Sequence, residues 1–193
     1  MLSDMDRLMR SRRSIRRFLP EPVEREKIMA CLEAARIAPS AGNAQPSRFL
    51  IVDDPELKSE LAREAFSGIY SMTKFAAQAP VIVVVLARLD VMAHRVGRRI
   101  QGTQFYLIDI GIAGEHFVLR AEEMGLSTCW IGWFNVRRTR KLLRIPRKYK
   151  IVCLFAVGHA ASRPPSETKR KPVEEIAWFN KIGESPADAD FSK

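Results

Sequence analysis

Two polar stretches carry the residues best suited to chemistry. The first is Arg12-Arg13-Ser14-Ile15-Arg16-Arg17-Phe18. Guanidinium groups offer paired donors and serine adds a hydroxyl, a set that matches a phosphate. The second is Ala38-Pro39-Ser40-Ala41-Gly42-Asn43-Ala44-Gln45-Pro46. Two prolines bracket small and amide-bearing residues, which makes this a shaped polar loop. Ser40, Asn43 and Gln45 can donate and accept, as the edge of a flat heteroaromatic ring requires. Plainer roles stand beside these. An arginine cluster near a terminus can be a solvated surface, and the loop can be an Asx-type turn without a ligand. Lys169-Arg170-Lys171 is open to the same two readings as the arginine cluster. The three stretches together suggest a site for an anionic cofactor.

Several other chemistries lack their residues. Gly111-Ile112-Ala113-Gly114 lies in a helical stretch and lacks the third glycine of a dinucleotide fingerprint. No P-loop, HExxH or GxSxG is present. His94, His116 and His159 are far apart, and Cys31, Cys129 and Cys153 are odd in number without CxxC spacing. Buried, reduced thiols and no metal site are therefore expected. Asp109, Glu115, Glu122 and Glu123 read as solvated or ion-paired helix acids. Trp130 and Trp133 could flank a ligand or pack in a strand near an interface.

With 193 residues, 47% of them hydrophobic, the chain can build one core in one domain. The longest apolar run, Ala79 to Ala87, is too short to cross a bilayer. Asp4, Asp6 and Arg7 near the start leave no signal-peptide core, so a cytoplasmic location without membrane attachment is expected. The net charge of +10 is concentrated in residues 7–17, with six arginines, and in 137–150, with eight basic residues and no acid. Such blocks attract phosphates, nucleic acid or anionic membranes, or simply solvate a face. No RNA-reading aromatic motif or recognition-helix pattern accompanies them, so nucleic acid is not an expected partner, although a basic nucleic-acid-binding protein remains the alternative of a different class.

The elements that must position these residues follow from periodicity. Residues 4–10 read as a short helix with Asp4 as cap, and 24–37 as an amphipathic helix ended by Pro39. Phe49–Val52 is a strand, and Pro55 starts a helix to about Phe66. Residues 68–78 fit a further helix. Val81–Leu86, apolar on both faces, belongs in the middle of a sheet. Residues 88–102 read as a mobile surface segment. A long helix spans about Thr103–Met124 and is apolar around most of its circumference, which predicts burial on nearly all sides, partly against a second subunit. Ser127–Phe134 is a strand, 136–143 a helix and Tyr149–Val157 a fourth strand. Val173–Ile176 fits a helical turn, and the aromatic tail with Trp178, Phe179 and Phe191 fits a surface-hugging extension. The mixture indicates α+β.

The ordered motifs Arg-Arg-Ser-x-Arg-x-Phe (12–18) and Ala-Pro-Ser-x-x-Asn-x-Gln-Pro (38–46) resemble the FMN-dependent nitroreductase family. So do Ala79-Pro80 before a Val/Ile strand, Glu123-Met124-Gly125-Leu126, Cys129-Trp130-Ile131-Gly132, and Gly158-His159 before a basic, proline-containing segment. The resemblance implies a three-layer α/β/α fold with a mixed, mainly antiparallel sheet in an intertwined homodimer. Residues 1–193 would form one FMN-binding domain, with 174–193 an extension packing on the partner subunit. It also implies two FMN molecules at the interface. Arg12, Arg13 and Ser14 would hold the phosphate and ribityl chain, with Lys169 and Arg170 completing that site and Arg16 near the ring. Pro39, Ser40 and Asn43 would approach the ring from the other subunit, and Ile131 and Gly132 would offer backbone groups near its reactive edge. NAD(P)H would reduce the flavin in a ping-pong reaction, and a nitroaromatic, quinone or similar small acceptor would reoxidise it. No side chain is implied as general acid or base. Relatives also run dehalogenation, flavin fragmentation and azoline oxidation. Some members place an aromatic residue after Gln-Pro, where Ser47 stands here. Others place Asn and Lys where Met72 and Phe75 stand, and Glu at Ile131. These departures imply a less polar ring edge.

Overall fold

Val81-Ile82-Val83-Val84-Val85-Leu86 has no polar face, so burial on one side only would leave apolar side chains in water. In the computed structural model, which describes residues 3–89, 102–163 and 168–182, it forms the inner strand β2 (Val81–Arg88). β2 pairs antiparallel with β1 (Ser47–Val52) on one side and β4 (Tyr149–Gly158) on the other. β3 (Ser127–Ile131) pairs antiparallel with β4, giving the order β1-β2-β4-β3. The only parallel pairing among the described residues is a bridge from Ser14 to Thr128, at the edge of β3.

Side chains alternate across this sheet and feed two cores. On one face Ile82, Val84, Leu154 and Ala156 meet Leu61 and Ala65 of α3 (Pro55–Ala65), together with Phe134 and Ile145. Those last two flank α5 (Val136–Leu142). On the other face Val83, Val85, Phe155 and Val157 meet α2 (Arg25–Arg36) and α4 (Phe105–Glu123) through Cys31, Ala35, Ile110 and Phe117. The result is the expected α/β/α layering. A bulge keeps it consistent: Val85 faces Cys153 while Leu86 faces Ile151, so Val152 is an extra residue in β4. Ile151 and Cys153 consequently enter opposite cores.

Local chemistry sets the helix ends. Ser3, not Asp4, caps α1 (Asp4–Ser11): its hydroxyl accepts from the Asp6 N–H at 3.1 Å, and the Asp6 carboxylate accepts from the Ser3 N–H. Residues 68–78 are a run of 3₁₀ turns. β3 ends at Ile131, short of the expected Phe134. On the single chain Leu107 and Ile108 of α4, the helix expected to pack partly against a second subunit, are exposed. The expected mobile segment at 88–102 lies outside the described residues apart from 88, 89 and 102. Chain contacts divide the protein into residues 1–163 and 164–193. In the second unit Val173–Glu175 forms a 3₁₀ turn, and Lys169, Arg170, Trp178 and Phe179 are exposed. Phe191 lies outside the described residues.

Candidate active site

The Arg-Ser segment is held against the sheet by its backbone. The Ile15 N–H donates to the Thr128 carbonyl at 2.9 Å, and the Leu19 N–H to the His159 carbonyl at 2.9 Å. Ile15 and Phe18 are buried in the core beneath. In an extended strip a buried Ile15 turns Ser14 and Arg16 the other way, and both are exposed. Arg12 lies 3.8 Å from Glu115 of α4. Arg13 differs from its neighbours. Its guanidinium donates to the Arg10 carbonyl at 2.6 Å and the Arg12 carbonyl at 3.1 Å, covering the end of α1.

This strip brings Arg16 into a cleft of about 440 Å³, within the usual 300–1,000 Å³ of small-molecule sites. Ile131 and Gly132 line the same cleft, with Met72, Phe75, Trp130 and Trp133. The Arg16 guanidinium sits 5.8 Å from the Phe75 ring centre, a cation–π distance. Gly132 is exposed, and a Cβ built there meets nothing within 4 Å, so its backbone is open to a ligand. Behind the cleft, Trp130 packs edge-on against Phe155 at 4.5 Å and fills the space left by Gly114 on α4. Cys129 also lines the cleft. Burial raises its thiol, against the pull of Arg16 and Arg12 in the other direction.

The Pro39–Pro46 loop stands elsewhere. Pro39, Ser40 and Gln45 line a second cleft of about 640 Å³ between α2, β1 and α4. Gly42, Asn43 and Gln45 all have positive φ, which costs energy at Asn and Gln unless the surroundings fix it. Three contacts fix it. The Gln45 N–H donates to Ser40 Oγ at 2.9 Å, Gln45 Nε2 donates to Asn43 Oδ1 at 3.0 Å, and the Ala41 N–H donates to Asp109 at 2.9 Å. Much of the loop's hydrogen bonding therefore serves its own shape. Asp109 is only 2% exposed and is not a solvated acid as sequence suggested. Tyr106 and Ala113, one turn away on either side, are buried on the same helix face, and that spacing was the available signal. The other three acids are in ion pairs: Glu115 with Arg12, Glu122 with Arg163 and Glu123 with Arg120.

One chain thus gathers Arg16, Ile131 and Gly132 in one cleft, and Pro39 and Ser40 in another. Lys169 and Arg170 belong to the second unit. The chemistry of the first cleft fits a flavin: a cation and open backbone beside apolar walls suit a flat ring that gains negative charge on reduction.

A family model described as the nitroreductase family matches residues 9–73 and 70–159. A Thermus thermophilus protein named NADH dehydrogenase is 31% identical, covering 87% of this chain and 92% of its own. Among solved structures, a nitroreductase family protein from Clostridium difficile 630 superposes with a TM-score of 0.76 at 28% identity, over 91% of this chain and 97% of that one. An FMN-dependent nitroreductase from Clostridium difficile R20291 gives 0.71 at 26% identity, over 91% and 98%. With one model spanning residues 9–159 and relatives matched along most of both chains, this protein belongs to the nitroreductase family.

Proposed function

We propose that this flavin-dependent NAD(P)H oxidoreductase binds FMN as a homodimer and passes electrons from NAD(P)H to a small organic acceptor by a ping-pong route. The observation that carries this is the meeting of Arg16, Ile131 and Gly132 in one cleft, at the edge where the Arg-Ser segment is stitched to β3. When bound, FMN supplies the two-electron hydride chemistry at its N5. Arg12 and Ser14 offer donors for the phosphate and ribityl chain on the side of the strip that Arg16 shares. Arg13 would join them by leaving its carbonyl contacts, and Lys169 and Arg170 add positive charge. Arg16 opposes negative charge that develops at the ring on reduction. Ile131 and Gly132 present backbone to the ring's reactive edge.

Pro39, Ser40 and Asn43 complete the pocket of the neighbouring subunit; the separate cleft lined by Pro39 and Ser40 supports this. Residues 174–193 pack on that subunit, and the exposed Leu107 and Ile108 of α4 contribute to the dimer face. Among the described residues no helix is long and apolar enough to cross a membrane. We place the protein in the cytoplasm.

The test is the absorption spectrum of purified protein, with and without added FMN and NAD(P)H, together with sedimentation. A dimer with a flavin spectrum that NAD(P)H bleaches is expected. Protein that stays colourless and cannot be reconstituted with FMN overturns the proposal.

A further inference from the structure

Trp130 and Trp133 are three residues apart, yet the fold uses them in opposite ways. Trp130 is packed from behind by Phe155 and sits over Gly114. Trp133 is 53% exposed at the rim of the 440 Å³ cleft. An exposed indole on a turn would normally be free to change rotamer. This one is fixed three ways. Its Nε1–H donates to the Ile69 carbonyl at 2.9 Å, its ring lies 5.3 Å from Tyr70, and its own carbonyl accepts from Thr73 Oγ1 at 2.8 Å. The 3₁₀ run that supplies all three contacts also contributes Met72 and Phe75 to the cleft wall.

We propose that Trp133 is a specificity-determining residue: a fixed aromatic platform on which planar, uncharged acceptors of the quinone class stack. This rests on the flavin-dependent function proposed above. A rigid aromatic surface loses little conformational freedom on binding, so its apolar area is available to a ligand at low entropic cost. Among the described residues, every side chain lining the cleft is uncharged apart from Arg16, whose guanidinium lies over Phe75. An acceptor must therefore satisfy the walls with a flat apolar body. Reduction of a quinone to its hydroquinone balances with two electrons and two protons. The hydride given up by NAD(P)H, which becomes NAD(P)⁺, carries two electrons and one proton, and water supplies the second proton.

The experiment compares wild type, Trp133→Leu and Trp133→Phe, each loaded with FMN. The acceptors are 1,4-naphthoquinone and ferricyanide, which takes electrons without stacking. For Trp133→Leu the ratio of the two kcat/KM values should shift about tenfold against the quinone, mainly through KM, the size of one lost aromatic stack. Trp133→Phe should restore most of it. Binding of naphthalene, which is not reduced, should weaken in parallel when followed by perturbation of the flavin absorption band. Unchanged KM and naphthalene binding in a flavin-loaded, NADPH-bleachable Leu variant would overturn the proposal alone. So would a Phe variant as impaired as Leu, which would make the indole N–H a strut for Ile69. Dissociation of the Leu variant into monomers would assign the ring to an interface instead. Wild type that takes up no FMN would sink the functional proposal and this one with it.

Discussion

The carboxylate of Asp109, buried on α4, accepts the Ala41 N–H at 2.9 Å and so ties the longest helix to the loop that carries Pro39, Ser40 and Asn43. The loop holds Gly42, Asn43 and Gln45 in left-handed conformations, which asparagine tolerates better than glutamine does. Removing the acceptor in Asp109→Ala should cost about 1–3 kcal/mol of stability, the penalty for an orphaned buried polar group. Flavin uptake should weaken as well if the loop walls the ring. Urea unfolding and FMN titration check this; a variant equal to wild type in both would show that the loop holds its shape unaided.

Gly114 makes room for Trp130. A Cβ at this position would stand 2.3 Å from one indole carbon and 2.7 Å from another, with Phe155 at 3.0 Å. Gly114→Ala should therefore destabilise by about 1–3 kcal/mol, as overpacking does, despite alanine's better helix propensity. Trp130→Phe in the same chain should recover part of the loss. A single variant more stable than wild type would mean that the helix and strand can part without cost.

Arg12→Ala, Arg16→Ala and Arg170→Ala should each weaken FMN binding. A charge-assisted contact is worth about 1.5–3 kcal/mol, or roughly 10–150-fold in Kd. Equilibrium titration followed by flavin fluorescence gives the values. Full flavin affinity in all three would place the anionic groups elsewhere.

Burial pushes the Cys31 thiol up to about 11 and the Cys153 thiol up to about 12, against an unfolded value of about 8.5. The native state then holds these protons more tightly. Their contribution to stability is complete below the unfolded pKa and is lost as pH rises towards 11–12. The urea midpoint should fall from pH 9 upwards, and a Cys31→Ala, Cys153→Ala variant should fall less steeply. Both thiols should resist alkylation at pH 8 until the chain unfolds. Labelling of native protein at the rate of free cysteine would contradict this.

The basic block at 137–150 contains one residue unlike the rest. Arg140 donates to the carbonyls of Ile145, Pro146 and Tyr149, at 3.0, 3.0 and 2.8 Å, and so closes the turn between α5 and β4. Arg140→Ala should cost about 1.5–3 kcal/mol, the range for hydrogen bonds to a charged group. Arg137→Ala and Arg147→Ala, both exposed, should stay within about 0.5 kcal/mol. Thermal unfolding of the three variants separates the clamp from solvated charge; similar midpoints would erase the distinction.

Local signals made most of the fold legible. The unbroken apolar run at 81–86 could only be an inner strand, and Pro55 and Gly125 marked a helix start and a helix end that the structure keeps. What sequence missed was one local cap and several contacts between distant residues. Ser3 replaces Asp4 as cap because its hydroxyl reaches the Asp6 N–H. The composition of α4 led to an expectation of burial partly against a second subunit; on the single chain Leu107 and Ile108 are about half exposed, and composition alone could not say which residues those would be. The site divides in the same way. Arg16, Ile131 and Gly132 could be named from motifs, whereas the role of Asp109 and the opposite fates of Trp130 and Trp133 needed the packing of α4 and of the 3₁₀ run.

The bulge in β4 also decides which residue the strand could lose. Ile151 serves one core and Cys153 the other, with Val152 between them and no partner in the register of β2. Deleting Val152 would make those two consecutive and leave every facing pair from Tyr149 to Val157 intact. Deleting Cys153 would likewise close the bulge, since Val152 already packs against the same core and would stand opposite Val85; deleting a residue farther along, such as Ala156, would send the side chains between it and the bulge to the wrong layer. The bulge at 151–153 is therefore where this strand can shorten and still read correctly on both faces.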